Sequence, residues 1–189
     1  MFCKIKPVVG TLDSKARRTV MFAAKELSHY LGMADADGDF PIMPTVVYSN
    51  NEENTIYLVV GHSELPEVED PKFDDAIYIS TKGYCGVISG TNARTVLIAV
   101  YRFLRENGFA FTKPGKNGEV IPNHLPINEL NITEKASYRH RGVCIEGSVY
   151  QEGLLDLLDW LPKVSMNAYF LQFLEPSVFL RRYYTNIKG

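Results

Sequence analysis

The chain has 189 residues, of which 46% are hydrophobic and 22% are charged, and its formal net charge is −2. This length and composition suit a globular domain, or one domain and part of another. The sequence lacks the basic patch of a nucleic-acid-binding protein, and no apolar run is long enough to span a membrane, so we expect neither nucleic acid nor membrane as a partner.

The N-terminal part predicts a strand followed by an amphipathic helix. The sequence FCKIKPVV at residues 2–9 favours a strand, and Pro7 indicates an edge position. Asp13 or Ser14 can cap the following helix, because short polar side chains accept hydrogen bonds from the first turn. Apolar residues then recur at helical spacing as far as Gly32, which predicts the end of the helix.

The middle of the chain predicts further strands and a second helix. The sequences PTVVYS at 44–49 and TIYLVVG at 55–61 are rich in β-branched and aromatic residues, which favour strands. Residues 76–90 indicate a β-hairpin with a Lys-Gly turn. Residues 91–107 predict an amphipathic helix that begins at a polar cap and ends before a glycine.

The pattern changes near residue 135. The stretches TKPGKNGEVIP and NHLPINEL are typical of a domain boundary, so we predict a first domain at residues 1–135. Its elements, which end with a short strand after the second helix, favour an α+β fold, a mixed sheet with helices packed on one face. In residues 136–189, two unalternated apolar strands flank the helix YQEGLLDLLDWLPKVSMN, a pattern that predicts a parallel βαβ unit. Pro162 is expected to end or kink that helix.

Cysteine usage and motif spacing exclude several kinds of site. Cys3, Cys85 and Cys144 are far apart and odd in number, which predicts reduced thiols. Because no signal-peptide pattern opens the sequence, this favours the cytoplasm. No CxxC or HxxxH spacing is present, so no metal site and no cofactor are expected. No phosphate-cradling glycine loop opens a predicted helix, which argues against a nucleotide-binding fold.

Several features together resemble a known group of enzymes. They are the hairpin ending in ISG, the helix containing A-V-Y-x-F-L, and the exit P-G-x-x-G-E-V-I-P. This region resembles the small α+β domain that precedes the catalytic barrel in β-N-acetylhexosaminidases and α-glucuronidases. The YRHRG strand, the next helix and the AYFLQF strand are similar to the first βαβ of the TIM barrel in these glycoside hydrolases. The resemblance implies a hexosaminidase domain 2-like fold for residues 1–135 and an incomplete start of a (β/α)8 barrel for residues 136–189.

The resemblance also implies substrate contacts on the first barrel strand. In hexosaminidases this strand carries R-G-x-x-x-D, whose arginine binds sugar hydroxyls. Arg141-Gly142 followed by Glu146 is similar, with Glu in place of Asp. For Arg141, which lies near the start of the strand, a structural ion pair is an equal alternative. For Glu146, the alternative is a helix cap or a solvated side chain.

The second barrel strand departs from the hexosaminidase pattern. Histidines of that family are replaced by Phe170 and Gln172, and the amide at 172 is closer to the α-glucuronidase branch, where an Asn lies near the same place. Barrel enzymes place their chemistry at the C-terminal ends of strands, so Gln172 and Glu175 complete the expected substrate-binding set. Trp160 lies on the helix and is expected to pack in a core rather than to stack on a sugar.

The number of residues after the domain boundary limits the function that we expect for this chain. A TIM barrel needs about 250 residues, whereas roughly fifty follow the boundary. The catalytic carboxylates of these enzymes lie on later strands, so no catalytic residue is expected here. We therefore expect the N-terminal fragment of a glycoside hydrolase, inactive alone and acting on carbohydrate only through the full-length barrel. Its unpaired strands also predict self-association. The alternative is a stand-alone carbohydrate-binding or assembly module.

Overall fold

The structure, a computed structural model, describes residues 2–49, 52–125, 127–146 and 151–172, together with residues 181 and 185. Strands and helices alternate along this part of the chain. Their bounds, in chain order, are β1 (Lys4–Pro7), α1 (Ser14–Ala34), β2 (Thr55–Val60), β3 (Ala76–Lys82), β4 (Cys85–Gly90), α2 (Ala93–Glu106), β5 (Ala110–Phe111), β6 (Glu119–Val120), β7 (Leu130–Lys135), β8 (Gly142–Glu146), α3 (Gln151–Lys163) and β9 (Ala168–Gln172).

A five-stranded mixed sheet forms the centre of the first part of the molecule. Its strand order is β1-β2-β4-β3-β7. The strands β1, β2 and β4 run parallel, whereas β3 pairs antiparallel with both β4 and β7. The mixed sheet predicted from the sequence is therefore confirmed, and we refer to residues 2–135 as the five-stranded unit.

Both α1 and α2 pack on one face of this sheet. Successive side chains of a strand point to opposite faces, so every second residue of each strand meets the helices. Asp13 caps α1 by accepting a hydrogen bond from Ala16 N, and Asn92 caps α2 by accepting from Thr95 N. The core between sheet and helices is closed by large, fully buried side chains, among them Tyr101, Phe103, Ile5, Leu27, Leu31, Ile56, Leu58, Ile79 and Ile88.

The opposite face of the sheet carries a separate and smaller apolar cluster. Tyr57, Val59 and Val87 are buried there, and Val8, Tyr48 and Tyr78 pack around them. Neither α1 nor α2 contributes a residue to this cluster. We call this side of the sheet the tyrosine face.

Three local expectations differ from the structure. Residues 44–49 form no strand and make only an isolated bridge between Val8 and Thr45. Pro44 has no N–H to donate, and Val46 and Val47 remain 69% and 64% exposed, so neither pairing nor burial holds a strand. Helix α1 continues past Gly32 to Ala34. After α2, where the element order predicts one short strand, the structure has three, which are β5, β6 and β7.

The last elements form a parallel βαβ unit, as predicted. Strands β8 and β9 pair in parallel as a separate two-stranded sheet, and α3 connects them. Pro162 lies one residue before the end of α3, in agreement with the expectation that it ends the helix. The buried apolar side chains of α3, among those that the structure describes, are Leu154, Leu157 and Leu161. We refer to residues 142–172 as the βαβ unit. No helix in the described ranges combines the length and apolarity needed to cross a membrane.

Candidate functional site

The predicted substrate contacts Glu146 and Gln172 are neighbours in the structure. Each is the last residue of its strand, and the two are register partners in the parallel pair of β8 and β9. Two consecutive strands therefore end side by side, where a barrel enzyme carries its chemistry. Glu175, the fourth predicted residue, lies outside the described residues.

Gly142 allows β8 and β9 to approach each other closely at their first residues. A Cβ atom built on Gly142 would lie 1.9 Å from the carbonyl oxygen of Ala168, so any larger residue would force β8 away from β9. The turn before β9 is also tight, because Ser165 has a positive φ of 65°. The register that begins with Gly142 beside Ala168 ends with Glu146 beside Gln172.

Arg141 does not extend toward Glu146 but binds groups at the start of the strands. Its guanidinium donates to Asp75 Oδ2 at 2.7 Å, to the Ser165 carbonyl at 3.0 Å and to the Tyr138 carbonyl at 2.8 Å. This is the ion-pair geometry that the sequence left open as an alternative. The sugar contact of Arg141 stays a prediction.

Asp75 is the acceptor around which this corner of the molecule is organised. Its side chain is 3% exposed. Besides Arg141, it accepts hydrogen bonds from Arg94 at 2.6 Å, from Thr95 at 2.7 Å and from Asn167 at 2.7 Å. These donors come from α2, from the segment before β8 and from the segment before β9. One carboxylate therefore ties the βαβ unit to the five-stranded unit.

The environment keeps this carboxylate charged. Burial by itself raises the pKa of Asp75, but the hydrogen bonds from Thr95, Arg94 and Arg141 outweigh burial and lower the pKa to about 2. Sequence analysis did not single out Asp75, which directly precedes β3. Nothing in the local pattern shows that its partner lies 66 residues away.

A buried lysine forms a second link between the two units. Lys163, at the end of α3, is 4% exposed, and its ammonium donates to Glu119 Oε1 at 2.8 Å and to Asp159. The same ammonium lies 5.6 Å from the centroid of the Tyr30 ring. Burial lowers the pKa of Lys163, but the hydrogen bonds to Asp159 and Glu119 outweigh burial and raise it. Lys163 therefore stays protonated at neutral pH.

Trp160 belongs to this same contact between the units. Its indole Nε1 donates to the Phe111 carbonyl at 2.8 Å, and the ring packs against the core of the five-stranded unit. The expectation that Trp160 serves packing is confirmed. On the adjacent helix, Arg105 donates to the Lys163 carbonyl at 2.9 Å and to Ser165 Oγ at 2.8 Å.

Comparison with solved structures identifies a similar fold in glycoside hydrolases. A GH138 enzyme that targets pectin rhamnogalacturonan II is 16% identical, with a TM-score of 0.56 over 89% of this chain. CpGH84D, a GH84 protein, is 16% identical, with a TM-score of 0.55 over 91%. The GH115 4-O-methyl-α-glucuronidase BtGH115A, specific for decorated arabinogalactans, is 13% identical, with a TM-score of 0.51 over 90%.

These matches establish a shared fold. The chain spans 24%, 27% and 25% of the lengths of the three structures, respectively. No protein-family model matches the sequence, and no curated protein matches it. The chain therefore has a glycoside hydrolase-like fold, and the similarity falls on about one quarter of each enzyme.

Proposed function

We propose that this chain is the N-terminal part of a glycoside hydrolase and that this part is not itself catalytic. In this proposal, residues 1–135 are the non-catalytic α+β domain, and residues 136–189 open a (β/α)8 barrel. Support comes from the similarity to three glycoside hydrolase families, which covers both units of the chain. The catalytic carboxylates would then lie beyond Gly189.

The exposed apolar face of the βαβ unit carries the proposal. Phe170 in β9 is 62% exposed, and its register partner Cys144 is exposed as well. Strands of parallel sheets in α/β proteins are usually covered on both faces. On the other face of the β8–β9 pair, Val143 and Tyr169 are half-buried, and further barrel strands would supply the cover for Phe170.

The substrate-binding residues of the proposed enzyme are Glu146, Gln172, Glu175 and Arg141. Glu146 and Gln172 have the stronger support, because adjacent parallel strands end at these two residues. A carboxylate and a carboxamide are suitable partners for sugar hydroxyls, since together they accept and donate hydrogen bonds.

The reading frame and an activity assay test the proposal. We expect the gene to continue past Gly189 for the length of a barrel, which is about 200 further codons. Aryl glucuronides and aryl N-acetylglucosaminides should be hydrolysed by the product of the complete frame and not by the 189-residue chain. In the longer protein, Glu146→Gln should lower kcat/KM by about tenfold or more.

Two results would refute the proposal. One is a stop codon directly after Gly189, which would favour a stand-alone carbohydrate-binding or assembly module. The other is glycosidase turnover by the 189-residue chain, absent from an identically purified control protein. A matched control in the longer enzyme is Glu106→Gln, because Glu106 lies on α2 in a surface ion pair with Arg102 and should leave kcat/KM unchanged.

The proposal also includes a cytoplasmic location and self-association. The location was inferred from reduced cysteines, and Cys3 fits that inference. It is fully buried, and burial raises the pKa of its thiol to about 12, so this thiol is inert in the folded protein. Fractionation of cells that produce the complete protein tests the location, and recovery in a membrane or secreted fraction would contradict it. Self-association is tested through Phe170 in the Discussion.

A further inference from the structure

A cavity of about 410 Å³ opens on the tyrosine face of the five-stranded sheet, far in sequence from the strand ends of the βαβ unit. Its floor is one row of register partners across four strands: Tyr57 on β2, Val87 on β4, Ser80 on β3 and Asn131 on β7. Its volume lies within the range of pockets that hold small ligands in proteins.

Aromatic rings form one wall of this cavity. The rings of His62 and Tyr78 stack with centroids 4.9 Å apart. Tyr48 meets both His62 and Tyr57 edge to face, at 5.3 and 5.1 Å. The contacts hold the rings in fixed orientations, so the wall is formed before any ligand arrives. Such a wall suits the apolar side of a ring-shaped ligand.

Polar groups in the floor of the cavity are available to a ligand. Within the described part of the chain, the Ser80 hydroxyl and the Asn131 carboxamide make no hydrogen bond to protein. Both line the cavity from neighbouring strands. A hydroxyl and a carboxamide can each donate and accept, which matches a ligand that carries several hydroxyl groups.

The charges around the cavity are balanced. Glu52 accepts hydrogen bonds from Lys4 at 2.9 Å, from Lys6 at 2.6 Å and from the Tyr57 hydroxyl at 2.9 Å. At the opposite rim, Lys82 lies 3.9 Å from Glu129. Among the residues that the structure describes, no group of like charges converges on the space between them, so neither a phosphate ester nor a metal ion is favoured.

We propose that this cavity is a carbohydrate site separate from the barrel, which binds a neutral sugar ring between the His62–Tyr78 wall and the Ser80–Asn131 pair. The sugar ring would stack on the aromatic wall, and its hydroxyl groups would form hydrogen bonds with Ser80 and Asn131 in the floor. The choice of a sugar over another neutral ring-shaped ligand rests on the proposed function. The site would hold a neighbouring part of a polysaccharide while the barrel acts elsewhere on it.

Nuclear magnetic resonance of the 189-residue chain tests this site. The ¹⁵N-labelled protein is titrated to millimolar concentrations with the methyl β-glycosides of glucose, xylose and N-acetylglucosamine. We expect saturable shifts of backbone amides around Ser80 and Asn131 with at least one of them. Tyr78→Leu should abolish these shifts. Ser80→Ala and Asn131→Ala should each raise Kd by about twofold to tenfold, as expected for the loss of one hydrogen bond.

Matched controls separate the site from general effects. Thr133→Ala lies on the same strand and face as Asn131 but outside the cavity, and should leave Kd unchanged. Unchanged chemical shifts elsewhere show that each variant is folded. The proposal is overturned if no glycoside shifts these amides, if Thr133→Ala weakens binding as much as Asn131→Ala, or if adenosine monophosphate binds more tightly than every glycoside. The proposed function is judged independently, by the reading frame and by hydrolysis.

Discussion

The two units of the molecule bury their apolar residues in different ways. The five-stranded unit closes its core by itself, because α1 and α2 cover one sheet face with fully buried side chains. The βαβ unit packs α3 against α2 but leaves Phe170 exposed. A strand that is apolar on both faces needs two covering layers, and the described residues supply one.

The contact between the units relies on two buried charges. Asp75 binds Arg141 and Asn167, which directly precede β8 and β9. Lys163, the last residue of α3, binds Glu119 of the five-stranded unit. Buried ion pairs contribute little net stability, because desolvation offsets much of the attraction, but breaking one is costly. We infer that these two residues serve mainly to fix the orientation of the βαβ unit on the five-stranded unit.

The largest expected effect comes from separating the units. A protein of residues 1–137 should fold and unfold cooperatively, since it keeps the sheet, both helices and the hydrogen bond from Ala136 N to the Asp75 carbonyl. Residues 138–189 alone should not fold, because the strands β8 and β9 and the helix α3, the elements described in this range, lack a sufficient core. Circular dichroism during urea unfolding measures both. A cooperative transition in the C-terminal piece would contradict the dependence of the βαβ unit on its neighbour.

The next effect concerns the buried carboxylate. Asp75→Ala leaves the guanidinium groups of Arg94 and Arg141 without their common acceptor, and should lower the free energy of unfolding by about 3 kcal/mol. The matched control Glu106→Ala removes a surface pair and should cost about 0.5 kcal/mol or less. Urea denaturation of both variants gives the comparison. Equal losses of unfolding free energy in the two variants would contradict the role of Asp75 as the common acceptor of the two arginines.

The pH dependence of stability gives a smaller and more specific effect. The pKa of Asp75 is lowered from 3.8 to about 2, so its stabilising contribution is present above pH 4 and is lost as the pH falls toward 2. Between pH 5 and pH 2, wild type should therefore lose about 2 kcal/mol more than Asp75→Asn, whose residue 75 does not titrate. Parallel pH profiles of wild type and Asp75→Asn would contradict the lowered pKa.

Much of the fold could be predicted because its elements follow local rules. The hairpin of β3 and β4, helix α2 and the βαβ unit each combine a clear period with a turn or cap residue. The bounds of β7 were not predicted, because prolines and asparagines dominate the segment before it. The alternation of Leu130 and Ile132 with Asn131 and Thr133 was its available signal.

The candidate site could be predicted only in part. The ends of β8 and β9 follow from the strand patterns, so Glu146 and Gln172 could be named in advance. The partner of Arg141 could not, because Asp75 and Arg141 meet only through the packing of two units. The cavity on the tyrosine face was likewise invisible, since its floor takes one residue from each of four strands whose order the sequence does not state.

The smallest expected effect on stability is also the sharpest test of the uncovered strand pair. Phe170→Ser replaces an exposed side chain, so the free energy of unfolding should change by about 0.5 kcal/mol or less. Self-association should nevertheless weaken, because apolar area is removed from the face that a second chain would cover. Sedimentation velocity across a concentration series measures this. Phe22→Ser, at a 43% exposed position on α1, is the matched control and should leave association unchanged. Association that persists in Phe170→Ser, or is lost equally in Phe22→Ser, would place the contact elsewhere than on the βαβ unit.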